Sequence, residues 1–188
     1  MAWLKPLADT LTALRGVLSL ALAGLGSVAG SDGLNAAACL LLAAWTTDAL
    51  DGPLARKSGV TQQSWIGQND LIIDLVVAVA LLHFMRSAGL VHPLVVVGYI
   101  ALWGVILWRC GSLTKPLGAA FQGPVYVWFG VCLLARKLLV GRVMVAWVLA
   151  NLAVKWEVLT TRELPHFLQG MRQAGANLLG ETGNDAQR

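Results

Sequence analysis

Four aspartates stand close together in a chain that is 57% hydrophobic and has only ten acidic residues. They are Asp48, Asp51, Asp70 and Asp74. An unpaired carboxylate is costly to bury in lipid, so acidic residues in apolar segments usually face one another, a cavity or a cation. Carboxylate oxygens suit Mg²⁺, Mn²⁺ or Ca²⁺ better than Zn²⁺. We therefore expect a site for such a divalent ion, with Mg²⁺ or Mn²⁺ favoured and Ca²⁺ left open, and two such ions could clamp a phosphate or pyrophosphate group.

The spacing of these acids predicts that they meet. Asp48 and Asp51 are three positions apart, and Asp70 and Asp74 are four apart, so the members of each pair share one helix face. Because only a short polar loop separates the pairs, their helices are predicted to be antiparallel neighbours. Both pairs then lie at the same end of the two helices.

The elements that position these acids must be membrane helices. Charged residues make up 13% of the chain, against about 25% in soluble domains, and the mean hydropathy is +0.67. A spanning helix needs roughly 20 apolar residues, so a chain of 188 residues has room for about six. This composition excludes a soluble globular protein, and we expect an all-α integral membrane protein with about six transmembrane helices.

Apolar stretches and turn residues divide the chain into six predicted spans. The spans cover residues 16–30, 34–57, 67–85, 87–108, 117–135 and 141–160. Residues 1–15 are predicted to be an interfacial amphipathic segment, which completes a membrane domain over residues 1–162. Residues 163–188 are predicted to form an amphipathic helix with a disordered end. The eight tryptophans lie mostly near span ends, where we expect interfacial positions.

The basic residues predict the orientation. With both termini in the cytosol, ten of the 14 lysines and arginines fall on the inner side, as the positive-inside rule requires. The other four are Arg86, Arg136, Lys137 and Arg142. The last three of these run against the rule. We expect a multi-pass protein of the cytoplasmic membrane whose acidic site faces the cytosol.

The residues that follow Asp51 suit the approach of a phosphate group. Gly52 removes a side chain where a substrate or a neighbouring helix would approach the backbone. Ala55 lies one turn beyond Asp51 and keeps that face open, and the Arg56 guanidinium is well shaped to contact phosphate. Taken alone, Arg56 would be an interfacial anchor; beside the acids, we favour phosphate contact.

The stretch DALDGPLAR at residues 48–56, followed by GQNDLIID at residues 67–74, resembles the signature of the CDP-alcohol phosphatidyltransferases, D-x2-D-G-x2-A-R-x8-G-x3-D-x3-D. All four aspartates, the first glycine, the alanine and the arginine match. The linker departs from the pattern, because ten residues precede Gly67 after the arginine and two separate Gly67 from the third aspartate. In size the chain is similar to small bacterial members such as the phosphatidylglycerophosphate synthases.

The resemblance implies a cytosol-facing polar cavity among six transmembrane helices. It also implies transfer of a phosphatidyl group from a CDP-linked lipid such as CDP-diacylglycerol to a small alcohol, with release of CMP. Carried over by position, the metal ligands are Asp48, Asp51, Asp70 and Asp74, and Asp74 is also the catalytic base. The residues implied to bind the donor nucleotide are Asp48, Asp51, Gly52, Ala55 and Arg56.

Other basic residues leave alternatives open. Arg109 and Lys115 are either acceptor-binding residues or ordinary inner-side charges. With the first interpretation, glycerol 3-phosphate is the acceptor; inositol, inositol phosphate, serine and phosphatidylglycerol are alternatives. The stretch TLTALR at residues 10–15 is similar to the T-x2-R stretch of the family. Arg15 is accordingly an interfacial anchor, which we favour, or a cavity residue.

Two other classes of function compete with the transferase. Cation-coupled transporters also use intramembrane carboxylates, but these acids cluster at one face, and Gly52 with Arg56 suits phosphate better than a permeating cation. A family member that binds lipid without catalysis is the third hypothesis, supported by the displaced Gly67. The expected partners are the CDP-lipid, the alcohol and membrane lipids, and no nucleic acid. A homodimer is a hypothesis that rests on analogy with the family.

Overall fold

A computed structural model describes the backbone of residues 4–58 and 69–179, and the side chains of these ranges except residues 4, 5, 8, 51–58 and 179. Within these ranges the chain is helical and contains no strand, which confirms the all-α prediction. The main helices are α1 (Leu4–Ala29), α2 (Leu34–Ser58), α3 (Asp70–Ser87), α4 (Pro93–Cys110), α5 (Lys115–Ala135), α6 (Leu139–Val154) and α7 (Leu164–Leu179).

Glycine and proline set several of the helix ends. The 3₁₀ turn Gly30–Gly33 joins α1 to α2, and its first residue has a φ of +50°, which glycine adopts without steric cost. Helix α4 begins with Pro93 in its first turn and is capped by the side chain of His92. It ends at Gly111, whose φ of +67° is typical of a helix C-terminus.

Helices α1, α2 and α3 form the centre of the molecule. The largest buried side chains include Leu22 of α1, Leu41 of α2 and Phe84 of α3. Helices α1 and α3 approach closely because a Cβ atom at Gly26 would lie only 2.8 Å from the Phe84 Cα atom. This contact fixes the register of α1 against α3, and so decides which residues of the two helices face each other further along.

Several helices are long and apolar enough to cross a membrane. By length and composition, the spans are Asp9–Leu50, which covers most of α1 and α2, Pro93–Cys110 and Lys115–Ala135. Helix α6 and the segment after it add a fourth if that pair, bent by 71°, is one span. Helix α3 is as long as α4 but includes two acids and Arg86 among its 18 residues. The chain is therefore an integral membrane protein, and six spans stay a prediction.

The C-terminal helix α7 packs against the end of α4 and the start of α5. A Cβ atom at Gly170 would lie 2.4 Å from the Pro116 Cγ atom, so only glycine fits at this contact. Ala174, one turn further along α7, is buried, and its carbonyl oxygen lies 4.0 Å from the Cys110 sulfur. The irregular segment Trp156–Glu163 redirects the chain between α6 and α7. Helix α7 thus holds the end of α4 beside the start of α5.

Replacing Gly170 by valine should loosen α7 from Pro116, because the added Cβ atom has no room. Overpacking of this kind typically costs about 1–3 kcal/mol. Gly175→Val is the matched control on the same helix, since a Cβ atom there meets nothing within 4 Å. We expect a lower Tm in detergent and faster tryptic cleavage at Arg172 for the first variant only. Equal behaviour of the two variants would contradict this packing.

Candidate active site

The site is built around Arg15, which is 1% exposed in the middle of α1. Its Nη1 atom lies 3.1 Å from an oxygen of Asp48 and 3.1 Å from an oxygen of Asp70. The same nitrogen donates a hydrogen bond to Asp74. A buried charge is costly unless it is paired and hydrogen-bonded. Three carboxylates therefore compensate one guanidinium, and they join α1 to α2 and α3.

The carboxylates face the open side of the site, with Arg15 beneath them. Their side chains are 52%, 41% and 26% exposed at Asp48, Asp70 and Asp74, respectively. Asp70 begins α3, where the helix dipole favours negative charge. Asp74 stands one turn later on the same face. A ligand from solvent can thus reach the acids more easily than it can reach Arg15.

The donor set fits a hard divalent cation. One carboxylate oxygen from each of Asp48, Asp70 and Asp74 lies within 4.8 Å of the other two. Oxygen-only ligation is what Mg²⁺ and Mn²⁺ prefer, and the three groups already converge on one positively charged atom. The structure therefore brings together three of the four acids that the spacing predicted.

The remaining predicted donor-binding residues lie outside the described side chains. The backbone of α2 continues through Asp51, Gly52, Ala55 and Arg56, but their side chains are not described. Gly67 lies outside the described residues altogether. Their roles stay predictions.

A cavity of about 120 Å³ adjoins the acid cluster. It is lined by Arg15, Ala44, Trp45, Asp48, Asp74, Val77, Gln122 and Tyr126. The Trp45 ring packs edge-on against Tyr126 at 5.2 Å between centroids, and at 5.6 Å from Trp147. Aromatic walls beside carboxylates make a pocket with one apolar and one charged side. Trp45 is thus partly buried between helices, and the interfacial position of the tryptophans stays a prediction.

Two lysines bring positive charge to the cluster. Lys115 and Lys155 both lie close enough to Asp48 to interact electrostatically with its carboxylate. Lys115 was a predicted acceptor-binding residue, whereas Lys155 was not. Arg109 is exposed in the last turn of α4, and α4 returns to the end of the bundle from which α3 starts. All three cations thus belong to the same end of the molecule as the acids.

Arg15 is the site residue that sequence reasoning placed wrongly. The favoured interpretation was an interfacial anchor, but α1 runs unbroken from Leu4 to Ala29 and buries this side chain. A signal was present in the sequence. Thr12, Arg15 and Ser19 are three and four positions apart, and all three are buried. A polar stripe on an otherwise apolar membrane helix faces the protein interior.

The comparison with protein families gave a match. The family model described as CDP-alcohol phosphatidyltransferase matches residues 5–150, which include Arg15 and the three acids and exclude α7. Neither the comparison with curated proteins nor the comparison with solved structures gave a match.

Proposed function

The chain belongs to the CDP-alcohol phosphatidyltransferase family, and from this premise we propose that it transfers a phosphatidyl group from CDP-diacylglycerol to glycerol 3-phosphate and releases CMP. The observation that carries the proposal is the convergence of Asp48, Asp70 and Asp74 beside a cavity with aromatic walls. The family activity, transfer from a CDP-alcohol to an alcohol acceptor, requires such a site for a pyrophosphate. Lys115 and Lys155 near Asp48 support an acceptor that bears a phosphate.

Divalent ions, which the family generally uses, are part of the proposal. Two Mg²⁺ or Mn²⁺ ions would be held by Asp48, Asp51, Asp70 and Asp74. When bound, they supply positive charge that neutralises the pyrophosphate and the departing CMP. The segment from Asp48 to Arg56 would hold the nucleotide, with Gly52 and Ala55 leaving room for it and Arg56 pairing with phosphate.

In the proposed reaction, Asp74 acts as the general base. The acceptor oxygen forms a bond to the β-phosphorus of the donor, and the bond between that phosphorus and the oxygen of CMP breaks. The proton of the acceptor hydroxyl passes to the Asp74 carboxylate, which borders the cavity. Trp45 and Tyr126 line the same cavity and give it an apolar side next to the reacting groups.

A cation-coupled transporter fits these observations less well. Transport needs a path along which the carboxylates release a cation in turn. The described acids converge on one point instead, and the buried Arg15 guanidinium stands directly beneath them. A positive charge that belongs to the protein at that position opposes the passage of a cation. We further propose that the site faces the cytosol, as the distribution of lysine and arginine predicts.

The proposed metal requirement is tested by CMP release from CDP-diacylglycerol with purified protein. Turnover should stop in EDTA and return with Mg²⁺ or Mn²⁺, and Asp48→Asn should need more Mn²⁺ for half-maximal rate. Asp32→Asn is the matched control, because Asp32 is exposed in the turn between α1 and α2, at the other end of α2 from the cluster. Full CMP release in chelator would rule out the metal site.

The second test separates an ion ligand from the base. Asp51→Asn should weaken both Mn²⁺ binding and turnover, because the substitution removes a ligand. Asp74→Asn should lower kcat by about 10²-fold or more, because it removes the proton acceptor. It should keep most of the affinity for CDP-diacylglycerol, because Asp48, Asp51 and Asp70 would still hold the ions that bind the donor. Donor affinity is measured by titration without acceptor. An equal loss of donor binding in both variants would contradict these assignments.

The third test concerns the acceptor. Arg109→Ala and Lys115→Ala should each raise the KM for glycerol 3-phosphate by about tenfold at unchanged donor affinity, because the phosphate loses a cationic partner. Arg86→Ala is the control, since Arg86 lies in the last turn of α3, away from the acids. A panel of inositol, inositol phosphate, serine and phosphatidylglycerol is assayed in parallel. Turnover with only an uncharged alcohol would exclude glycerol 3-phosphate.

A further inference from the structure

We propose that the Arg15 guanidinium takes the place of a metal ion among Asp48, Asp70 and Asp74. It holds these three acids together when no divalent ion is bound, and it is displaced from them when an ion binds. Arg15 then acts as a positioning residue that sets the ion affinity of the site. The inference rests on the metal site proposed above.

The first step of the argument is geometric. A single atom, Arg15 Nη1, contacts an oxygen of all three carboxylates. Oxygens of the same carboxylates lie within 4.8 Å of one another. A divalent ion bound to them would sit about 2.0–2.6 Å from each oxygen, which is the space that this nitrogen fills. The guanidinium and an ion bound by all three acids therefore exclude each other.

The second step concerns what happens to the displaced charge. Arg15 is 1% exposed, and the contact between Gly26 and Phe84 fixes the register of its helix against α3. The side chain can turn within the site, but its charge stays in the neighbourhood. An entering ion must therefore break three pairings and then remain near a positive charge that solvent screens poorly. Both effects lower the affinity of the cluster for cations.

The third step concerns stability. Carboxylates held this closely repel one another unless a cation lies between them. With Arg15 in place, that cation is part of the chain, so the ion-free protein keeps its three central helices together. Without the guanidinium, Lys115 and Lys155 still lie near Asp48, but a divalent ion becomes the cation that can contact all three acids together. Loss of Arg15 should then make the fold depend on metal.

The experiment uses the full chain in detergent with Arg15→Gln, which removes the charge and keeps a polar side chain of similar length. Mn²⁺ binding is measured by electron paramagnetic resonance of the free ion, and Tm is measured in EDTA and in Mn²⁺. The variant should bind Mn²⁺ at least tenfold more tightly than wild type. Its Tm should be lower in EDTA, and the gain on adding Mn²⁺ should exceed that of wild type.

Arg86→Gln is the matched control, because it removes the same charge from the opposite end of α3. It should equal wild type in Mn²⁺ affinity and in the gain of Tm. Arg15→Lys keeps a positive charge on a shorter side chain, which places that charge further from the three carboxylates, so its Mn²⁺ affinity should fall between those of wild type and Arg15→Gln. This variant carries the test if Arg15→Gln does not fold.

Two results would overturn the inference, and they differ in whether they also contradict the proposed metal site. If wild type binds Mn²⁺ and the Arg15 variants bind it equally or more weakly, Arg15 only supports the structure, and the metal site stands. If neither wild type nor the variants bind Mn²⁺, the proposed metal site fails together with the inference.

Discussion

The pairing of one buried guanidinium with three carboxylates is the constraint on which the centre of this protein depends. Arg15 is almost entirely removed from solvent, and its partners come from two other helices. Because a buried charge without its partners is strongly destabilising, α1, α2 and α3 cannot pack in another register without large cost. The contact of Gly26 with Phe84 sets the same register from the apolar side.

The acid pairs and the helical class are the parts of this structure that could be predicted from the sequence. The acids were found because spacings of three and four positions have a direct geometric meaning on a helix. The helical class followed from composition, and the approximate positions of the helices followed from apolar stretches and turn residues. These features are determined by residues close together in the sequence, and such features can be predicted without knowledge of the tertiary structure. The predicted start of the fourth span at residue 87 was wrong, because α3 extends to Ser87 and α4 begins at Pro93.

The rest depended on contacts between distant parts of the chain. An arginine at the end of an amphipathic stretch has the same local pattern whether it anchors a helix at the interface or pairs with acids 33 or more positions away. The contact of Trp45 with Tyr126 was not predicted for the same reason, since it depends on the packing of α5 against α2. The packing of Gly170 on Pro116 likewise has no counterpart in the periodicity of α7. Tertiary partners distinguish these cases, and single-sequence patterns do not include them.

The order of the charged residues along α1, α2 and α3 has a consequence for biosynthesis. A membrane protein enters the bilayer from its N-terminus as it is made, and Arg15 precedes all of its acidic partners in the chain. Each aspartate that follows therefore reaches a membrane in which its counter-charge is already present. With this order a single charge, that of Arg15, waits in lipid for its partners, whereas the reverse order would leave several negative charges waiting for one arginine. The sequence order thus gives the nascent chain a nucleus around which the second and third helices can assemble.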